Sequence, residues 1–124
     1  MSKYNVYGIG AALVDTEIQT TDADLEYLQV GKGLMTLVGE ERQQEITHYL
    51  KDQLVNSNRA SGGSAANSII AVSAFGGSAF YSCKVADDDD GKFYLDDLSN
   101  AGVEFNLTSA LAKGHTGKCL VFIT

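Results

Sequence analysis

The spacing of hydrophobic residues changes along the chain, and the change separates predicted strands from predicted helices. Alternating or clustered apolar residues, typical of strands, occupy residues 3–9, 11–18, 79–85, 103–107 and 117–123. Apolar residues that return every three or four positions, typical of amphipathic helices, occupy residues 40–54, 65–75 and 92–101. From Gly62 onward the two patterns alternate, which favours an α/β protein built on a mostly parallel sheet.

The segment 16–61 does not follow this alternation. Short stretches at 27–30 and 34–38, each bounded by turn residues, predict extended chain on the N-terminal side of one helical pattern at 40–54. We therefore expect a small β-rich insertion with one helix, placed between two parts of one α/β domain, residues 1–15 and 62–124.

Charge and composition narrow the function classes. Sixteen Asp and Glu residues against nine Lys and Arg residues give a net charge of −7, which disfavours binding to a phosphate backbone through a basic face. No stretch reaches the roughly 18 apolar residues of a membrane span, and the first residues lack a secretory pattern. We therefore expect a cytoplasmic protein that binds neither nucleic acid nor membrane.

Two further features concern the core and the end of the chain. Cys83 and Cys119 lie in apolar runs, which predicts two buried thiols rather than a disulfide. The final residues, 118–124, have the pattern of a strand suited to burial, whereas domains usually end in exposed polar residues. This pattern predicts that the chain is the N-terminal part of a longer protein.

Two motifs point to binding sites but have simpler explanations. Gly8-Ile9-Gly10 follows a strand, but Leu13 stands where a dinucleotide-binding fingerprint needs its third glycine. The run 87–90 is acidic and precedes a glycine, but a calcium loop in this register would begin at an alanine. A turn from strand to helix, with Asp89 or Asp90 as the helix cap, is the favoured interpretation of this run.

Two features carry candidate chemistry. Asp15 interrupts an apolar stretch, so its charge needs either donors or ligand hydroxyls, or else it faces water at the end of a strand. Gly62-Gly63 permits close approach to the backbone, and the helix start that follows offers free N–H groups. Asn67 adds an amide about one turn further on. The residues alone also fit an ordinary Gly-Gly loop that leads into a helix.

The motifs, taken together and in order, resemble those of the ribokinase-like (PfkB) carbohydrate kinase family. The run 62–71, followed by Gly76-Gly77, is similar to the first signature of that family, and the run 85–94 is similar to its next conserved block. The opening glycines and Asp15 resemble its first strand and its substrate aspartate. Within the family, the similarity is greatest to the adenosine-kinase-like branch.

The resemblance implies a partial ribokinase-like fold, in which helices flank a parallel sheet and the C-terminal part is absent. It implies that the complete protein is a phosphotransferase that uses ATP and magnesium to phosphorylate a hydroxyl group of a sugar or nucleoside. It also implies that the segment 16–61 is a lid, with Met35 and Leu37 on the apolar side of the pocket, and that a homodimer can form through this lid. The implied substrate-binding residues are Asp15, Gly62, Gly63, Ser64 and Asn67.

Two departures from the family pattern limit these expectations. Ala11 stands where members of this branch commonly carry Asn, which removes one polar substrate contact. The chain also lacks the Gly-Ala-Gly-Asp run that carries the catalytic aspartate, so we expect no catalytic residue, no metal ligand and little of the ATP site within it. These 124 residues alone are therefore expected to be inactive. The alternative is a non-catalytic module for sugar or nucleoside binding, or for dimerisation.

Overall fold

The computed structural model describes residues 3–106 and 112–124. In chain order the elements are β1 (Val6–Ile9), β2 (Leu13–Gln19), α1 (Asp22–Tyr27), α2 (Glu40–Tyr49), α3 (Lys51–Leu54), β3 (Asn58–Gly62), α4 (Ser64–Ala74), β4 (Ala79–Ser82), α5 (Asp89–Asn100), β5 (Glu104–Phe105) and β6 (Gly117–Ile123). Within the described ranges, no helix is long and apolar enough to cross a membrane.

A parallel sheet with strand order β1-β4-β5 carries the main core. Val6 pairs with Ala79 and Phe80 pairs with Glu104, so the strands lie side by side in the same direction. Helix α4 packs on β1 and β4. The core side chains are almost completely buried and include Val14, Ala66, Ile69, Tyr81, Tyr94 and Leu98. The predicted α/β architecture, with a parallel sheet flanked by helices, is confirmed.

The two opening glycines allow close packing at the end of β1. A Cβ atom on Gly8 would lie 2.6 Å from Ile69 Cγ1 of α4, and one on Gly10 would lie 2.6 Å from the Tyr81 hydroxyl oxygen. Distances below 3.0 Å require the neighbouring atoms to move. The Gly-x-Gly pattern therefore serves the approach of a helix and a buried tyrosine to the first strand.

The chain divides into two compact units. Unit 1 comprises Met1–Asp15 and Arg59–Cys119, and unit 2 comprises Thr16–Asn58 and Leu120–Thr124. The second sheet has the strand order β3-β2-β6. The core of unit 2 is a small apolar cluster formed by Ile18, Leu28, Ile46 and Leu50.

The segment 16–61 contains more helix than the sequence predicts. Helix α1 ends at Tyr27, so it includes the first residue of the stretch expected to be extended at 27–30, and a capping box forms its first turn. In that box Asp24 N donates to Thr21 Oγ1 at 3.1 Å, and Thr21 N donates to Asp24 Oδ2 at 2.9 Å. The predicted helix at 40–54 is divided at Leu50 into α2 and α3, and the described residues 34–38 form no strand. The prediction of a single helix in this segment is wrong.

The prediction of two buried thiols is also wrong in one case. Cys83 is half-buried, and its burial raises the pKa of the thiol to about 11. Cys119 is exposed, because Lys118, Leu120 and Phe122 are the more buried residues of β6 and Cys119 lies on the opposite face. Both cysteines are free thiols.

Candidate functional site

The centre of the candidate site is a carboxylate packed against a glycine. In β2 the side chains of Val14 and Thr16 are buried, and the side chain of Asp15 between them points to the other face and is half-buried. A Cβ atom on Gly62, in the neighbouring strand β3, would lie 2.5 Å from Oδ2 and 2.6 Å from Oδ1 of Asp15. The carboxylate therefore occupies the space that any side chain at position 62 would need.

Gly63 connects β3 to helix α4 in a conformation that favours glycine. Its φ is +100°, and a Cβ atom there would lie 2.9 Å from the carbonyl oxygen of Ala11. Its own carbonyl oxygen accepts the first helical hydrogen bond, from Asn67 N at 2.9 Å. The glycine pair thus brings the start of α4 close to the segment between β1 and β2.

Two tyrosines, which the sequence did not single out, hold the backbone of this site. Tyr94 of α5 donates its hydroxyl to the carbonyl oxygen of Gly62 at 3.1 Å, and Tyr81 of β4 donates to the carbonyl oxygen of Ala11 at 2.8 Å. Burial raises the pKa of both phenols, so both remain protonated donors near neutral pH. The available sequence signal was weak: a buried tyrosine usually needs a hydrogen-bond partner.

The structure places the predicted site residues in two groups. Asp15 packs against Gly62 at the end of β3, and Gly63 follows directly in the chain, where it packs against the carbonyl of Ala11. Ser64 and Asn67 lie on the first turn of α4, and both are exposed.

Met35 and Leu37 belong to unit 2, where their exposed fractions are 98% and 99%. Their role beside a substrate stays a prediction.

The acidic run 87–90 has a structural role. Asp88, rather than the expected Asp89 or Asp90, caps α5 by accepting from Gly91 N at 2.7 Å. It also accepts from Thr116 N at 2.8 Å and from Thr116 Oγ1 at 2.6 Å. Burial opposes the charge of Asp88, but these hydrogen bonds outweigh it and keep the pKa of the carboxyl below its ordinary value.

The next two carboxylates in this run are paired with cations. Asp89 binds Arg59 at 2.8 Å, and Asp90 binds Arg59 and Lys118, each at 3.1 Å. Within residues 3–106 and 112–124, no three His, Cys, Asp or Glu side chains come together as ligands for a metal ion. We assign no magnesium ligand to these residues and derive no step through that ion.

Comparison with known proteins assigns the family. The family model described as pfkB family carbohydrate kinase matches residues 28–124, which is most of the chain. The chain therefore belongs to the pfkB family of carbohydrate kinases, as the motifs predicted. No curated protein sequence matches it.

Solved structures of kinases share its fold. A probable sugar kinase from Rhizobium etli is 29% identical, with a TM-score of 0.80 over 99% of this chain and 36% of its own. Adenosine kinase from Sinorhizobium meliloti is 33% identical, with a TM-score of 0.76 over 98% of this chain and 36% of its own. Adenosine kinase from Schistosoma mansoni, in complex with adenosine and AMP, has a TM-score of 0.82 at 21% identity over 99% of this chain and 37% of its own, which supports the fold alone.

The chain thus spans little more than a third of the length of these kinases. The architecture that it forms corresponds to a part of theirs, and the prediction of a partial ribokinase-like fold is confirmed.

Proposed function

We propose that this chain forms the substrate-binding part of a kinase that transfers the γ-phosphoryl group of ATP to a hydroxyl group of a sugar or nucleoside. The observation that carries the proposal is the half-buried Asp15 carboxylate, which packs on Gly62 beside the start of α4. Family membership and the similarity to adenosine and sugar kinases support the same class of substrate.

Asp15 suits the recognition of a polyol. An ionised carboxylate has two oxygens, each of which can accept a hydrogen bond from a separate hydroxyl, and each charge-assisted bond contributes about 1.5–3 kcal/mol. Half-burial reduces competition from water, and the contact with Gly62 restricts the position of the carboxylate. We therefore propose that Asp15 binds two neighbouring hydroxyls and fixes the orientation of the ring.

The residues of α4 complete the proposed contacts. Gly62 lets the Asp15 carboxylate lie against the backbone, and Gly63 leads the chain into α4. Together with these two glycines, Ser64 and Asn67 contribute a hydroxyl and an amide on the first turn. In phosphoryl transfer the protein contributes mainly positioning and stabilisation of charge, and these residues contribute to positioning. ATP supplies the phosphoryl group, and we assign neither its site nor a base to this chain.

The segment 16–61 enters the proposal through the family resemblance alone. We propose that it acts as a lid that keeps water from the reacting phosphate, with Met35 and Leu37 on its apolar side. A homodimer through this lid, and a location in the cytoplasm, belong to the same proposal.

The decisive experiment measures phosphoryl transfer from radiolabelled ATP to a panel of sugars and nucleosides, with the protein as its gene encodes it and with residues 1–124 alone. We expect phosphoryl transfer by the gene-encoded protein if it includes the remaining two thirds of the kinase fold. We expect no transfer by residues 1–124 alone. Transfer by residues 1–124 would contradict the assignment of this chain to substrate binding alone. Binding of a panel member without transfer by the gene-encoded protein would favour a non-catalytic module.

A further inference from the structure

Two buried hydroxyls hold the two backbone segments that form the proposed site. Tyr94 and Tyr81 both have an exposed fraction of 0%, and each donates to a main-chain carbonyl, that of Gly62 and that of Ala11 respectively. Phenylalanine would fill nearly the same space, so packing alone does not account for the two hydroxyl groups. What they add is a fixed direction for two peptide groups.

That direction matters because a trans peptide is planar and its C=O and N–H bonds point in opposite directions. The carbonyl of Gly62 points toward Tyr94 in the core, so the N–H of Gly63 points away from it. The carbonyl oxygen of Ala11, held by Tyr81, lies 2.9 Å from the position of a Cβ on Gly63 and limits movement on that side. The Gly62–Gly63 peptide is therefore restrained by contacts on two sides.

We propose that Tyr94 is a positioning residue for substrate: it orients the Gly62–Gly63 peptide so that the Gly63 N–H donates to a polyol hydroxyl bound by Asp15. A hydroxyl can donate to a carboxylate and accept from an N–H at the same time, so the two groups are complementary to one hydroxyl. Tyr81 supports this arrangement from the Ala11 side. The inference rests on the proposed function, because it requires a polyol at Asp15.

Tyr94→Phe in the gene-encoded protein, labelled with ¹⁵N-glycine, tests the inference. Loss of a hydrogen bond to a carbonyl changes the polarisation of the following amide, so the ¹⁵N resonance of Gly63 should shift. The Kd for D-ribose or adenosine, measured by calorimetric or NMR titration, should rise about tenfold, since misorientation of one donor weakens a positioned contact. Tyr81→Phe should produce a smaller rise.

Two control variants separate positioning from general stability. Tyr7→Phe removes an exposed phenol hydroxyl from β1, and we expect both the Gly63 resonance and the Kd to stay as in the wild type. Val103→Ala removes buried methyl groups in the same core, and it should lower the Tm without changing the Kd.

Each outcome decides between the explanations. An unchanged Kd in Tyr94→Phe, with a wild-type protein that binds ribose or adenosine, would overturn this inference and leave the proposed function intact. If Tyr94→Phe raised the Kd no more than Val103→Ala does, the Tyr94 hydroxyl would have only a structural role. This result would also overturn the inference. If neither probe binds, the Kd is measured with another member of the sugar and nucleoside panel. A wild-type protein that binds no member of that panel would overturn the proposed function, and the inference with it.

Discussion

The loop that leads into α4 and the loop that precedes α2 show two different uses of glycine. In the first, Gly62 and Gly63 face a carboxylate and a carbonyl at distances that exclude any side chain. In the second, Gly33 and Gly39 have no heavy atom within 4 Å of a Cβ position, and Leu37 between them is almost fully exposed. The first loop is shaped by its contacts within unit 1, whereas the second buries almost nothing within unit 2. Substitutions in the first should therefore affect both stability and binding.

The largest effect is expected at the carboxylate. Asp15→Ala should lower kcat/KM of the gene-encoded protein by roughly 100-fold, because it removes about 3 kcal/mol of hydroxyl recognition. Steady-state kinetics with the preferred acceptor measures this. Asp96→Ala, an exposed residue of α5, is the control and should leave kcat/KM within about twofold. An Asp15→Ala enzyme with wild-type kinetics would remove Asp15 from the substrate site.

A matched pair of leucines compares the core with the exposed loop. Leu98→Ala should lower the free energy of unfolding by about 3 kcal/mol, because Leu98 is completely buried. Leu37→Ala should change it by less than about 0.5 kcal/mol, because the side chain is 99% exposed. Urea denaturation of both variants measures the difference. Equal losses would show that the exposed loop is packed in solution.

A pair of glycines tests the comparison directly. Gly62→Ala should lower the free energy of unfolding by about 2 kcal/mol, because its Cβ would displace the Asp15 carboxylate. It should also weaken binding of the acceptor. Gly39→Ala meets nothing within 4 Å, so it should be neutral or slightly stabilising. If thermal denaturation showed the same loss for both variants, the close contact at Gly62 would be disproved.

The smallest effect concerns pH and the cap of α5. The pKa of Asp88 is lower in the folded protein, so this residue contributes stability above its unfolded pKa, near 3.9, and that contribution is lost as pH falls through the folded value. Asp88→Asn should cost about 1 kcal/mol at pH 7, because the amide loses the charge and one of the two acceptor oxygens that bind Gly91 and Thr116. The stability of this variant should decline less between pH 5 and pH 2. Denaturation curves across this range provide the measurement. If the free energy of unfolding fell equally with pH in the wild type and in Asp88→Asn, folding would not lower the pKa of Asp88.

Local features made much of unit 1 predictable. The apolar spacing at 65–75 predicted α4 to within a residue at each end, and the glycine pair predicted a close approach before it. The insertion was less predictable, because α1 depends on a capping box between Thr21 and Asp24 rather than on a long apolar pattern. A helix of only six residues carries too few turns to show a clear period.

The order of strands and helices from Gly62 onward and the motifs of the pfkB family follow from the sequence by itself, because they depend on local spacing and residue type. Tertiary structure alone decided which groups meet. The Tyr94 hydroxyl reaches a carbonyl 32 positions away, Tyr81 reaches one 70 positions away, and Thr116 joins the cap at Asp88 from 28 positions along the chain. Such partners are chosen by the packing of strands and helices against one another, and no periodicity in the sequence records that choice.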